Sequence, residues 1–259
     1  MAVFVAASDE SYSQGCHRNN FLYGGFLAPV TEWYGRFADD WDRNVLAGPP
    51  RIPYLHMVEI RSPKWCQENG ISRTQGDQRV RAAFELISEM PSLTPISIEF
   101  NAGHLLDTIT KRVLVQSAGG QIAGKTFVPD YLAFVAYAYL VLEFCNRTRP
   151  DAQKVDFLVE KNGEITNHIQ QFYRDMRPGL ESIGMAHLIP LLGDLIPGDK
   201  DRAPLQAADV LCWYSQNARE GVLDDKNSRR YQVIASREGV REQLTDSNVV
   251  QLWEAITGD

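Results

Sequence analysis

The chain has 259 residues, a formal net charge of −7 at neutral pH and a hydrophobic fraction of 44%. This composition is ordinary for a folded globular protein, and it excludes disordered, collagen-like and low-complexity classes. The acidic balance also excludes a protein that binds nucleic acid through a global positive field. Any phosphate chemistry must therefore come from metals or from a local site.

The sequence predicts neither a signal peptide nor a membrane span. The first residues carry no basic segment, and their apolar stretch ends at Asp9. The most apolar segment, Tyr131 to Leu142, is too short to cross a bilayer and predicts a core helix. The four cysteines are far apart and form no CxxC or CxxH pattern, which is typical of a reducing compartment. We expect a cytoplasmic protein that does not associate with membranes.

The N-terminal part of the chain predicts a strand pair, a helix and a further strand. Val3 to Ser8 and Phe21 to Ala28 are short apolar runs typical of buried strands. The paired glycines in the second run indicate a bulge or a close approach of backbones. Apolar residues recur every four positions from Trp33 to Val45, which predicts a helix beginning at Thr31. Ile52 to Ile60 predicts another strand.

The rest of the chain alternates helices with strands. Arg61 to Gly76 is polar and irregular, which predicts a long loop. The elements predicted after it are helices from Asp77 to Met90, Asn101 to Val113, Pro129 to Asn146, Glu164 to Ser182, Pro204 to Glu220 and Asp246 to Ile256, and strands from Pro95 to Phe100, Lys154 to Glu160 and His187 to Leu192. This alternation after an opening strand pair predicts an α/β fold with a mixed sheet.

Acidic residues from three distant segments are the first candidates for chemistry. Asp9 and Glu10 follow the first predicted strand, Glu160 ends a later one, and Asp209 lies in an otherwise apolar helix stripe. Carboxylates that converge at strand ends can bind divalent cations, and such cations can hydrolyse a phosphodiester. The alternatives are that Asp9 caps a turn, Glu160 is solvated and Asp209 pairs with an arginine.

A phosphate-binding loop is the second candidate. Gly119 to Thr126 fits G-x-x-x-x-G-K-[ST], in which backbone N–H groups hold phosphates, Lys125 contacts the β and γ oxygens and Thr126 contacts magnesium. Pro129 falls within the first turns of the helix that would follow, and the loop sits in mid-chain. These features favour a flexible connection between two helices.

His56 and Glu59 form an H-x-x-E spacing. On a helix the two side chains would share a face, but on a strand they point to opposite faces. The strand predicted for this segment therefore disfavours a joint zinc site.

Four segments resemble the family called domain of unknown function 3800. They are VFVAASDES at the start, LYGGFLAP, LHMVEI and, above all, PLQAADVLCWY. The resemblance covers about Val3 to Glu220. It implies a ribonuclease-H-like domain over residues 1–220, a mixed sheet flanked by helices with extra helices. We expect residues 221–259, which the resemblance does not cover, to form a C-terminal helical tail packed on the same domain. The resemblance also implies divalent-metal phosphodiester chemistry with Mg²⁺ or Mn²⁺.

Five residues of this chain match positions of the family's motifs. Asp9 and Glu10 match an acidic anchor after the first strand, and Asp209 matches a second anchor at the start of a late helix. Glu160 matches an acidic position after a middle strand, and His56 matches a polar position that varies in the family. The resemblance thus implies that Asp9, Glu10, Glu160 and Asp209 hold the metal and that all five residues are catalytic. Asp194, Asp199 and Asp201 are expected to lie in a solvated loop.

Three functions remain open on the sequence. The first is a metal-dependent nuclease for RNA or DNA at the acidic residues, with weak, local nucleic-acid binding by arginines such as Arg73, Arg79 and Arg81. The second is a nucleotide hydrolase that uses Gly119 to Thr126. The third is an interaction module that has the fold without the chemistry and binds a partner through helices rich in Trp and Tyr.

Overall fold

The computed structural model describes residues 2–12, 20–101, 129–161, 163–245 and 247–248, and this part of the chain contains a six-stranded mixed sheet. The strand order is β5-β4-β1-β2-β3-β6. β2 is antiparallel to β1 and β3, whereas β4 is parallel to β1, β5 to β4 and β6 to β3. The strands are β1 (Ala2–Tyr12), β2 (Asn20–Pro29), β3 (Thr94–Asn101), β4 (Ala152–Glu160), β5 (Leu192–Gly198) and β6 (Val240–Gln243).

Helices cover both faces of this sheet, which confirms the predicted α/β class. They are α1 (Val30–Glu32), α2 (Ala38–Trp41), α3 (Pro63–Glu68), α4 (Arg73–Glu89), α5 (Pro129–Thr148), α6 (Gly163–Ser182), α7 (Ala203–Arg219) and α8 (Asp225–Ala235). Two π-helical segments, Trp33–Phe37 and Asp42–Leu46, adjoin α1 and α2 and complete the helical stretch predicted from Thr31 to Val45. Gly35 in the first segment has non-helical dihedral angles and kinks the stretch.

The sheet separates two hydrophobic cores. Phe4 and Ala6 of β1 face the core shared with α5 and α6. Val5 and Ala7 face the core built with the 33–46 stretch, α4 and α7. Because successive side chains of a strand point to opposite faces, Asp9 lies on the same face as Val5 and Ala7. β1 therefore directs its acidic end toward α7.

The predicted strand from Ile52 to Ile60 is wrong. The segment is irregular up to a turn over residues 57–61, in which the Ile60 N–H donates to the His56 carbonyl at 2.9 Å. The Leu55 and Met57 N–H groups donate to side chains of α7 instead of to a neighbouring strand. The apolar run has the composition of a strand, but the hydrogen-bond partners that fix its backbone lie far away in the sequence.

Two further boundaries differ from the prediction. The predicted loop from Arg61 to Gly76 contains α3 and the start of α4, because Ser72 and Gln75 form a reciprocal capping box that begins α4 before Asp77. The predicted strand from His187 to Leu192 is instead a 3₁₀ helix, Ala186–Leu191, and β5 begins at Leu192.

Several predicted features lie outside the described residues. They are the helix from Asn101 to Val113 beyond its first residue, the loop from Gln116 to Thr126 with its phosphate-loop pattern, and most of the last helix from Asp246 to Ile256. Within the described part of 221–259, α8 buries Ile234 in one core and β6 pairs with β3. No helix in the described ranges combines the length and apolar composition needed to cross a membrane.

Gly25 marks a close approach of two strands. Its register with Ser8 is continuous, so the glycine pair is not a bulge, and a Cβ built there would overlap the Ala7 carbonyl oxygen. We expect Gly25→Ala to lower the free energy of unfolding by about 1–3 kcal/mol, because the backbones must separate. Gly179→Ala is the control, since no atom lies within 4 Å of its added Cβ. Urea unfolding measures both, and equal midpoints for the two variants would contradict this packing.

Candidate functional site

An open cleft of about 690 Å³ is lined by residues at the carboxyl ends of β1 and β4 and by the adjoining side of α7. Asp9, Glu10, His56, Glu160 and Asp209, the five sequence candidates, all line it. The parallel strands β1, β4 and β5 end at one edge of the sheet, which is where such folds place their sites. The other lining residues are Ser11, Val58, Arg61, Lys200, Trp213, Gln216, Asn217, Glu220 and Val222.

Asp9 is held at the end of β1 and is only 8% exposed. Ser8 pairs with Val159 of β4, so the next position brings Asp9 level with Glu160. Burial is the main reason that the pKa of Asp9 is raised well above its ordinary value, and the carboxylates of Asp209 and Glu160 add to the effect. A hydrogen bond from the Glu10 backbone opposes it. The Asp9 carboxyl group is thus destabilised in its charged form.

Two polar side chains of α7 hold the 52–60 segment against the helix. Gln206 Oε1 accepts from the Leu55 N–H and from Trp41 Nε1, each at 2.8 Å. Asp209 Oδ2 accepts from the Met57 N–H at 2.6 Å. These bonds fix the backbone on either side of His56, so the imidazole lines the cleft.

Asp209 is a buried carboxyl group. None of the described residues forms a salt bridge with it, so the structure gives no support to pairing with an arginine. Burial raises the pKa of Asp209 to about 7, although the Met57 hydrogen bond and Lys200 oppose the shift. Glu160 and Glu59 add to the increase. At neutral pH this group is near the midpoint of its titration.

Lys200 is a cation of the cleft that the sequence analysis did not select. Its Nζ lies 3.6 Å from Glu160 Oε1 and 3.8 Å from Glu59 Oε1. Burial, the largest single effect, lowers the pKa of Lys200, but Glu160, Glu59 and further acidic neighbours together outweigh it and raise the pKa overall. Its only sequence signal is a position two residues after the end of β5, which also suits an ordinary surface lysine.

His56 and Glu59 lie together, contrary to the strand-based interpretation. The turn brings His56 Nδ1 within 3.8 Å of Glu59 Oε1. Burial and the nearby Lys200 lower the pKa of His56, and Glu59 partly offsets them, so the imidazole is neutral at neutral pH. Within the described part of the chain, His56 Nδ1 and Glu59 Oε2 are buried without a hydrogen-bond partner. Buried polar atoms of this kind are costly unless a bound molecule or ion satisfies them.

Other candidate residues lie elsewhere. Arg79, grouped with Arg73 and Arg81 as a nucleic-acid contact, is only 7% exposed and donates to the Pro50 carbonyl at 3.1 Å. It is therefore a structural residue and not a surface cation. Asp194 is exposed and pairs with Lys154 outside the cleft, and Asp199 and Asp201 do not line the cleft either.

The donor chemistry of the cleft fits a hard divalent cation, because carboxylate oxygens are preferred ligands of Mg²⁺ and Mn²⁺. Burial is the main cause of the raised pKa values of Asp9 and Asp209, and a bound cation would favour the charged form of both carboxyl groups. Among the described residues, however, no three His, Cys, Asp or Glu side chains are arranged to hold one ion as they stand. Lys200 lies against Glu160, and the Met57 N–H bonds Asp209, so ligation requires these groups to shift.

Comparison of the chain with protein-family models, with curated proteins and with solved structures found no match.

Asp209→Asn tests the buried charge. Between the ordinary value of 3.8 and about 7, the unfolded chain ionises while folded Asp209 stays protonated. The free energy of unfolding therefore falls as pH rises through this window. Asparagine keeps an oxygen that accepts from the Met57 N–H and carries no charge. In EDTA the variant should therefore lose the fall in the free energy of unfolding between pH 3.8 and about 7. At pH 8 it should be at least as stable as the native chain.

Urea unfolding across the pH range, in EDTA, measures this effect. Asp39→Asn is the control and should keep the native pH dependence, because that side chain is exposed on α2 outside the cleft. A clear drop in the melting temperature of Asp209→Asn in EDTA would mean that the charge of Asp209 stabilises the fold, and would contradict the prediction.

Proposed function

We propose that this protein is a metal-dependent nuclease with a ribonuclease-H-like fold, which hydrolyses phosphodiester bonds of RNA or DNA. The observation that carries the proposal is the cleft itself. Asp9 and Asp209, 200 positions apart in the sequence, are both buried in its wall with raised pKa values. Buried acids with raised pKa values beside an open cleft are candidates for a functional site, because catalytic and ligand-binding groups need shifted pKa values.

The topology supports the fold part of the proposal. A central first strand, an antiparallel β2 and β3 on one side and parallel β4 and β5 on the other agree with the ribonuclease-H-like arrangement that the resemblance implies. The late helix with the second acidic anchor, Asp209, corresponds to α7. It packs on the face of β1 that carries Val5, Ala7 and Asp9.

We assign roles as follows. Asp9, Glu10, Glu160 and Asp209 would hold Mg²⁺ or Mn²⁺. A cation bound there supplies Lewis-acid chemistry and lowers the pKa of a coordinated water. His56 is neutral near pH 7 and can take up or release a proton at a ring nitrogen in the cleft wall. Lys200 and Arg61 would attract the phosphate and orient it.

The other two functions have less support from the described residues. The phosphate-loop pattern from Gly119 to Thr126 lies outside them, so it stays a prediction. For an interaction module, two exposed large apolar side chains of the described residues, Val58 and Val222, line the acidic cleft. Three others lie outside it, Tyr34, Ile183 and Val233, and they come from three separate segments of the chain.

Metal binding and cleavage test the proposal together. We expect millimolar Mg²⁺ or Mn²⁺ to raise the melting temperature of the native chain by mass action and to permit cleavage of labelled RNA or DNA, which EDTA abolishes. Asp9→Asn and Asp209→Asn should each remove the metal-dependent shift. Each should also lower the cleavage rate by about 100-fold or more, because a lost ligand costs at least as much as a lost supporting residue.

Asp39→Asn provides the matched control, since Asp39 is exposed on α2 and lies outside the cleft. It should leave the metal shift and the cleavage rate unchanged. A native chain that shows neither a metal shift nor cleavage of single- or double-stranded substrates would refute the proposal.

A further inference from the structure

A second pocket, of about 330 Å³, lies between the first turns of α4 and α8 and has a strongly basic lining. Its cationic residues are Arg61, Arg73, Arg81, Lys226 and Arg230. Among the described residues, two carboxylates, Asp77 and Asp224, share the lining with these five cations. This surplus of positive charge is local, because the whole chain carries −7.

Much of this positive charge is uncompensated. Arg81 pairs with Glu85 at 3.0 Å, but both side chains are more than half exposed, so the pair is screened and weak. Asp224 caps α8: its Oδ1 accepts from the Asn227 backbone N–H at 2.7 Å and its Oδ2 accepts from Asn227 Nδ2 at 3.1 Å, so both oxygens are already used. Within the described ranges, neither Arg73 nor Lys226 forms a salt bridge with a carboxylate. An anionic ligand would therefore not need to displace an existing ion pair at either residue.

Arg61 joins this basic pocket to the acidic cleft, because it lines both. Its guanidinium lies 4.1 Å from the centre of the Trp213 ring, and this cation–π contact holds it at the boundary. Trp213 is four residues after Asp209 on α7, so the two share a helix face. The acidic cleft, an aromatic ring, an arginine and the basic pocket thus follow one another across the surface.

We propose that the basic pocket binds the phosphate backbone of a single-stranded nucleic acid whose neighbouring nucleotide lies over Trp213. The inference rests on the proposed function, since the same strand would continue into the acidic cleft. A strand fits better than a small anion because it alternates phosphates with bases. Cationic grooves that follow the backbone, with aromatic rings beside them, are the usual means of binding single strands.

Binding of labelled single-stranded oligonucleotides in EDTA tests the pocket without cleavage. We expect Arg73→Glu and Lys226→Glu each to weaken binding about tenfold at about 50 mM salt. Each should also reduce the steepness of the salt dependence by about 0.7 per lost phosphate contact. Both variants should fold, because a glutamate in the first turn of a helix is favourable. Melting temperatures verify this.

Arg174→Glu on α6 is the control, because it makes the same change in net charge at an exposed position outside the pocket. It should change affinity by less than about twofold. Equal weakening by all three variants would overturn the proposal, since net charge alone would then explain binding. Equally tight binding of a polyglutamate peptide would overturn it too.

The two proposals fail separately. If the oligonucleotide binds through the pocket but Mg²⁺ and Mn²⁺ yield no cleavage, the pocket stands and the nuclease proposal falls. If the native chain cleaves but Arg73→Glu and Lys226→Glu retain the native KM, the nuclease proposal stands and the pocket is refuted.

Discussion

The packing of α7 across the sheet is the constraint on which the rest of the structure depends. The Cys212 thiol lies 3.3 Å from the carbonyl oxygens of both Asp9 and Gly24, which puts the helix directly on β1 and β2. Gln206 and Asp209 bind the backbone of the 52–60 segment. A buried polar group left unsatisfied costs about 1–3 kcal/mol, so helix and segment require each other. One helix therefore positions the sheet edge, the acidic residues and the wall that carries His56.

The same helix joins two regions of opposite charge. Around Asp209 the cleft gathers carboxylates together with Lys200, and burial raises the pKa values of Asp9 and Asp209. The raised values show that the charged form of these two carboxyl groups is costly here. One helical turn further on, Trp213 stacks against Arg61, where the basic pocket begins. A buried acidic cluster favours cations and a basic groove favours phosphates. The juxtaposition suits a ligand that needs both, as a metal-assisted phosphodiester substrate does.

Predictions from sequence succeeded where local pattern and tertiary structure agree. β1, β4, α5 and α7 were predicted because an apolar run, or a proline at the start of an apolar periodic segment, has the same meaning in most folds. The strand predicted for the 52–60 segment was wrong because its backbone hydrogen bonds go to side chains about 150 residues away. The interpretation of His56 and Glu59 failed with it, since the spacing was evaluated on a strand when the segment forms a turn.

The sequence by itself determined the class of fold, the acidic residues at strand ends and the conflict of Asp209 with its apolar helix stripe, because these follow from periodicity and from the cost of burying charge. Only the tertiary structure decided which of these groups meet. Lys200 enters the cleft because β5 ends beside β4. Arg79 is buried, and its guanidinium donates to the Pro50 carbonyl. Such contacts join residues far apart in the chain, and their energies depend on burial and distance, neither of which a linear pattern contains.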